Sequence, residues 1–540
     1  MNWNDKGWGT AALDYHEMLQ RVRPQSLLVG GLLPQLNIDG DPVTIAKELA
    51  ILITLHRDIL LNGYTPVRVV CEEGQDPHAI ELTPEGVRAY ASEICQFITK
   101  RKGGKPSLKT DIANIYLQGL EGQWGLQPLR GISTSPILSA DGSIRIADGY
   151  DEETGLWCHS IPAVEIPERP TKDDAQQALL VLRQAFWTFP FSDAATVFDG
   201  TLRVNVVDLS QPPNLDESTH LVALMTAVCR PCLPLAPGFL YDAPGFSGAG
   251  TGKGLLVKSA CIIGHGSTPS AMTAGHDEAE LDKRLIASAI EARPAIFLDN
   301  FNEGVLQSAT LASFLTESPA RVRVLGQSKT VLLNTCAFVA ITGNAVQIAE
   351  DIARRILKIC LDAKMENPEQ RPFAGGFLPS IFDRRVDLLT ACLTIWRWGV
   401  EQRDLKRGLP LGSYEQWAQW CRDSLLALGC RDPVERVSQI KAADPKRRYV
   451  VEVFQRWWKH HADKDVTAAD LHLEVKEAID PNSKRTADDV LAFSRQRVAS
   501  FLRAHINTRL GGFVLTEGLG TTNEQRNRVT TYRLMQEPTP

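Results

Sequence analysis

The chain has 540 residues, of which 44% are hydrophobic and 23% charged, and carries a formal net charge of −6. That length exceeds what one hydrophobic core supports, so roughly three or four domains are expected. The acidic balance excludes a uniformly basic nucleic-acid binder and leaves any such contact to local patches. No apolar run is long enough to span a bilayer, no signal peptide is evident, and the 11 cysteines are scattered and odd in number. These features predict a protein of the reducing cytoplasm with no membrane partner.

Taken in chain order, residues 1–127 carry mainly helical patterns, at 44–61 and 83–99 for example, interrupted by a strand-like run at 66–71. The basic run from Lys100 to Lys105, closed by Pro106, reads as an exposed loop. Residues 128–169 change texture to short strands with turn chemistry, Ala140-Asp141-Gly142-Ser143 and Asp148-Gly149-Tyr150-Asp151 being hairpin signals. A strong amphipathic helix is expected over 171–187. Thr171 and Asp174 mark its start, and Ala175, Leu179, Leu182 and Ala185 recur at helical spacing. Another helix is expected over 218–229. The only C-x-x-C, Cys229 to Cys232, lacks a second pair and reads as two small residues beside a buried strand.

The next segment is the most informative. An apolar strand at 237–243 is followed by Ser247-Gly248-Ala249-Gly250-Thr251-Gly252-Lys253-Gly254 and then a helical run over 255–263. Strand, glycine-rich loop, lysine and helix form the order that a phosphate cradle needs. Glycines let backbone N–H groups converge on phosphate oxygens, the helix N-terminus adds positive potential, and Lys253 reaches the terminal phosphates. The match to G-x-x-x-x-G-K-[ST] is imperfect: Ser247 replaces the first glycine and Gly254 the Mg²⁺-binding hydroxyl. A glycine-rich turn is the alternative.

Further on, 294–300 is a buried-strand run ending in Asp299-Asn300, and an acid there is where an NTPase holds Mg²⁺. The run 337–344 is a second such strand, ending in Asn344, whose amide can orient an attacking water. Between them, 321–333 reads as a β-hairpin carrying Arg323, with Lys329 near its tip. A basic hairpin tip can grip a DNA backbone electrostatically, and a solvated surface hairpin is the alternative. Asp351-Ile352-Ala353-Arg354-Arg355 is expected to place two arginines on a helix, where they stabilise charge on a transferring phosphoryl group or form a solvated face. The order of these elements predicts an α/β ATPase core over 170–389.

A Trp-rich helical stretch follows (Trp396, Trp398, Trp417, Trp420), read as core within a helical lid at 390–448. In 449–540, helices at 449–460, 467–479 and 490–507 precede a hairpin of 513–515 with 529–534. Three helices and a hairpin describe a winged helix-turn-helix. The third helix, with Arg495, Arg497 and Arg503, would enter the major groove, and the wing, with Arg526 and Arg528, would lie on a neighbouring backbone. The same fold also serves for protein docking.

The run from about Gly131 to Phe373 resembles the AAA+ helicases of phages, plasmids and chromosomal mobile islands, a group related to MCM and superfamily 3 helicases. The resemblance rests on Gly131-Ile132, Ser135-Pro136-Ile137-Leu138, Gly149-Tyr150-Asp151, Gly250-Thr251-Gly252-Lys253, Leu298-Asp299-Asn300, Leu325-Gly326-Gln327-Ser328, Thr342-Gly343-Asn344, Asp351 to Arg355, and Pro368 to Phe373. It implies a hexameric ring that hydrolyses ATP with Mg²⁺ between subunits and translocates on single-stranded or forked DNA, alongside other replication proteins of the same element. By this resemblance Lys253 binds phosphate, Asp299 binds Mg²⁺, Asn344 senses nucleotide, Arg354 or Arg355 is the arginine finger and Lys329 contacts DNA. Two departures stand out. Gly254 cannot ligate Mg²⁺, and Asn300 stands where many relatives carry the glutamate that activates water. Glu280, at a helix start, and then Glu303 are the candidate bases, each otherwise a capping acid. A nucleotide-dependent switch or loader that does not unwind DNA, including a defence-system ATPase, is the other reading.

Overall fold

The computed structural model describes residues 33–72, 76–100, 106–119, 124–245, 247–273, 278–302, 305–323, 330–371, 375–402, 404–437, 439–440, 444–480, 484–485, 491–492, 495–522 and 528–537. The chain separates into two compact units, one of 1–346 with 355–436, the other of 347–354 with 437–540. Lys329, Glu303 and Arg526 lie outside the described residues.

The first unit is mixed α/β around a fully parallel five-stranded sheet. Its elements in chain order are α1 (Lys172–Phe186), α2 (Leu215–Cys229), β1 (Gly238–Ala243), α3 (Lys253–His265), β2 (Ala271–Thr273), α4 (Glu278–Ile290), β3 (Ala295–Phe301), β4 (Phe338–Asn344), β5 (Ile356–Cys360) and α5 (Arg385–Glu401). The spatial order is β2-β3-β4-β1-β5. β1 is buried at every residue, as a central parallel strand covered on both faces must be. α1 starts at a capping box in which Thr171 and Asp174 satisfy each other's backbone N–H. α2 is buried all round, and Trp417 reaches it through Nε1–H donated to Thr226 Oγ1 at 2.8 Å. Trp396, Trp398, Trp417 and Trp420 are all buried, which makes them core.

Ahead of this sheet, helices Pro42–His56, Pro84–Ile94 and Thr110–Gln118 enclose one apolar cluster. The helix patterned over 83–99 stops at Ile94, and Gln96–Ile98 instead pairs in parallel with Gln35–Asn37. An antiparallel sheet, Ile59–Asn62, Thr65–Val70 and His78–Glu81, leans on the end of α4: Asn62 Nδ2 donates to the carbonyls of Ala289 and Ile290. Leu156–Cys158 forms a small sheet with Gly131–Ser133 and Gly149–Asp151.

In the second unit, α6 (Pro445–His461), β6 (Val466–Thr467), α7 (Leu473–Ile479), α8 (Arg495–His505), β7 (Arg509–Leu510), β8 (Phe513–Glu517) and β9 (Thr531–Gln536) follow in order. The strands form an antiparallel sheet β6-β9-β8-β7. Val453, Phe454, Trp457, Val475, Val498, Leu502, Leu515 and Leu534 make its core. The helix patterned over 467–479 begins only at Leu473, because Val466 and Thr467 are drawn into the sheet against Tyr532 and Thr531.

Candidate nucleotide site

The strand order dictates where a site can form. After β1 the chain crosses to β2 on one side of the sheet. After β4, the neighbour of β1, it crosses to β5 on the other side. Connections leaving adjacent strands in opposite directions open a crevice at their carboxyl ends, the place where open parallel sheets bind ligands. The loop 247–252 leaves β1 there, Asn344 ends β4, and Asp299 lies near the end of β3.

Within the loop, Lys253 is the first residue of α3. Its Nζ donates to Gly248 O at 2.6 Å, Thr251 Oγ1 at 3.2 Å and Asn344 Oδ1 at 2.8 Å. Thr251 is buried and donates its own hydroxyl to Gly248 O at 3.0 Å. Burial lowers the Lys253 pKa, and the carboxylates of Asp242 and Asp299 oppose that by favouring the ammonium. Asp242, buried under the loop, accepts from Val346 N at 3.1 Å and pairs with Lys358 Nζ at 2.5 Å.

Two glycines are required by close approach. A Cβ on Gly248 would stand 2.3 Å from Pro244 O and 2.4 Å from Asn344 Oδ1. One on Gly250, which has φ of +76°, would stand 2.6 Å from the backbone N of Glu369. At Gly254 the reverse holds: a Cβ would meet nothing within 4 Å. The loop backbone therefore wraps closely around its own lysine at the start of a 13-residue helix. That is the donor set a phosphate chain needs.

Asp299 is half-buried and accepts a hydrogen bond from the Thr342 hydroxyl. Asn300 has φ of +60°, and its backbone N–H donates to Thr342 Oγ1 at 3.1 Å. A carboxylate beside an ammonium, at the mouth of a phosphate-type loop, fits a hydrated Mg²⁺ bound with a nucleotide, since that ion commonly takes only one or two protein carboxylates. Lys253, Asn344 and Asp299 are thus brought together, with Ser247, Gly248, Ala249, Gly250, Thr251, Gly252 and Gly254 forming or flanking the loop.

The remaining candidates fare differently. Glu280 sits in the first turn of α4 but is engaged by Lys283 and Arg284 of the same helix, each at 3.4 Å. The arginine pair is not on a helix. The helix Glu350–Ala353 has only 4 residues, and both arginines follow it in the turn that straightens into β5. Arg354 is exposed and belongs to the second unit; Arg355, in the first, uses its carbonyl to accept from Gly238 N at 2.9 Å. Arg323 points to solvent on the hairpin of Ala320–Arg323 with Thr330–Leu333. In the second unit Arg497 is tied to buried Asp480 at 2.7 Å, while Arg503 is exposed and donates to Ala499 O. Arg495 starts α8, and Arg528 lies in a two-residue strand that pairs with Thr521–Thr522. Cys229 and Cys232 are free thiols, and burial pushes Cys232 up to about 11, away from thiolate chemistry. Sequence reasoning missed the role of Thr342. Its only signal was a hydroxyl two residues before Asn344 on an otherwise apolar strand.

No family model matches the chain, and no curated protein matches it. A solved structure described as "SCCmec type IV Cch - active helicase" is similar at 10% identity and a TM-score of 0.30, over 88% of this chain and 93% of that one. A TM-score that low does not establish a shared fold. Among the described residues no helix is long and apolar enough to cross a membrane.

Proposed function

We propose that this chain is a Mg²⁺-dependent P-loop ATPase of the AAA+ type that works on DNA. The observation carrying this reading is the meeting of Lys253, Asn344 and Asp299 at the carboxyl ends of β1, β4 and β3, where the strand order opens a crevice. With nucleotide bound, Lys253 would exchange its internal acceptors for oxygens of the β- and γ-phosphates, and the backbone N–H groups of 248–254 would donate to the remaining oxygens. Asp299 would hold a hydrated Mg²⁺, whose chemistry when bound is to neutralise charge developing on the phosphates. Asn344, released by the lysine, orients the attacking water. Glu280 would first have to leave Lys283 and Arg284 to act as base, so water activation by amide positioning is the simpler course. Arg354 or Arg355 would act as a finger toward a neighbouring subunit.

The DNA part of the proposal is supported by the second unit. Three helices followed by the paired strands β8 and β9 are the order of a winged helix, with Arg495, Arg497, Arg503, Arg526 and Arg528 as its basic residues. The hairpin carrying exposed Arg323, together with Lys329, would track the backbone of a single strand. The resemblance of the motifs extends this to a hexameric replicative helicase of a mobile element. A loader or switch uses the same site without strand separation. Strand displacement on a forked duplex distinguishes them. A helicase separates the strands with ATP and fails with Lys253→Ala; nucleotide-dependent DNA binding without displacement supports the switch.

A further inference from the structure

The alignment of β3 with β4 is interrupted beside the site. Leu298 pairs with Ile341 and Phe301 with Gly343, so Asp299 and Asn300 together face one residue, Thr342. Two residues opposite one is a β-bulge, a device that re-aims a side chain next to a functional site. Thr342 is buried, and its single oxygen makes both bonds that hold this bulge. It donates to Asp299 Oδ1 and accepts from Asn300 N–H at 3.1 Å. Asn300 is left-handed at φ +60°, a conformation in which asparagine is among the few side chains accepted readily. The α3 position that usually presents a hydroxyl to the metal is Gly254, with open space around it.

We infer that Thr342 is the positioning residue for the metal-binding carboxylate: its hydroxyl, standing on β4, fixes Asp299 at a site where position 254 supplies no hydroxyl. This rests on the nucleotide-site reading above. It also recasts Asn300 as the residue that lets the bulge form, in place of a water-activating group. Thr342 acts through Asp299, to which its hydroxyl donates.

The test measures binding of a fluorescent ATP analogue while Mg²⁺ is titrated, so that the readout is metal dependence and not turnover. Wild type is compared with Thr342→Val and Thr342→Ser, their folding checked by circular dichroism. Thr342→Val should raise the Mg²⁺ concentration for half-maximal binding about tenfold, the scale of one charge-assisted hydrogen bond, with affinity in EDTA unchanged. Thr342→Ser should restore the wild-type value. Thr342→Ala carries the same expectation if valine prevents folding. An unchanged Mg²⁺ midpoint in a folded hydroxyl-free variant overturns the inference while leaving the site intact. Failure of the wild type to bind the analogue at all overturns the underlying reading as well.

Discussion

Lys253 stands at the head of α3, and the glycine spacing before it is a local pattern with a local cause. What no pattern conveys is that its ammonium rests on Asn344, 91 positions away, since that contact exists only once β1 and β4 lie side by side. Gly254 reads in the sequence as a defect. In the fold it is a place with room, nothing standing within 4 Å of an added Cβ. Gly254→Ser should therefore fold normally and lower the Mg²⁺ midpoint of nucleotide binding several-fold, measured by metal titration. A midpoint that does not move would show that a hydroxyl there does not reach the metal. Asn300 gives a second check. If its left-handed backbone is what matters, Asn300→Gly stays within about 0.5 kcal/mol of wild type in urea unfolding. Asn300→Val, β-branched at positive φ, loses about 1–2 kcal/mol.

At the scale of elements, boundaries followed caps and hydrophobic period wherever those signals were strong. The capping box at Thr171 and the apolar run that precedes Gly248 put α1 and β1 where the sequence does. Two features at the site escaped. The arginine pair looked helical because Asp351 to Arg355 contains no breaker, yet β5 claims the chain from Ile356, and pairing with β1 outweighs a weak local preference. The bulge at Asp299 and Asn300 was invisible because it depends on the partner strand. The phosphate loop itself makes a firm prediction. Gly250→Ala adds a methyl 2.6 Å from the Glu369 backbone at a positive φ. The loop must then shift off the segment Pro368–Gln370, and nucleotide affinity should fall at least about tenfold with little change in overall fold. Isothermal titration would read this, and full affinity in the variant would mean that the loop adapts freely.

For the whole molecule, the order of the motifs points to an α/β core but not to the strand order, which arises from long-range pairing. That order, β2-β3-β4-β1-β5, is what turns separate motifs into one crevice. The core also has a pH signature. His220 and His265 are fully buried, and burial lowers both to about 3 from an ordinary 6.5. Their folded pKa values lie below the unfolded one, so between about pH 6.5 and pH 3 the unfolded chain binds more protons. Stability is then lost as pH falls, by up to about 1.4 kcal/mol per unit for each histidine. Urea midpoints at pH 7.5 and pH 5 should fall less on acidification in His220→Leu and His265→Leu than in wild type. Equal pH slopes would mean that these histidines take up protons in the folded state as readily as in the unfolded chain. The central claim is that the crevice is an ATPase site. Steady-state ATP hydrolysis by wild type and Lys253→Ala, with and without single-stranded DNA, tests it most directly. The account predicts Mg²⁺-dependent turnover that DNA stimulates and that Lys253→Ala abolishes. Turnover unaffected by loss of Lys253, or none in the wild type at saturating ATP and DNA, would contradict it.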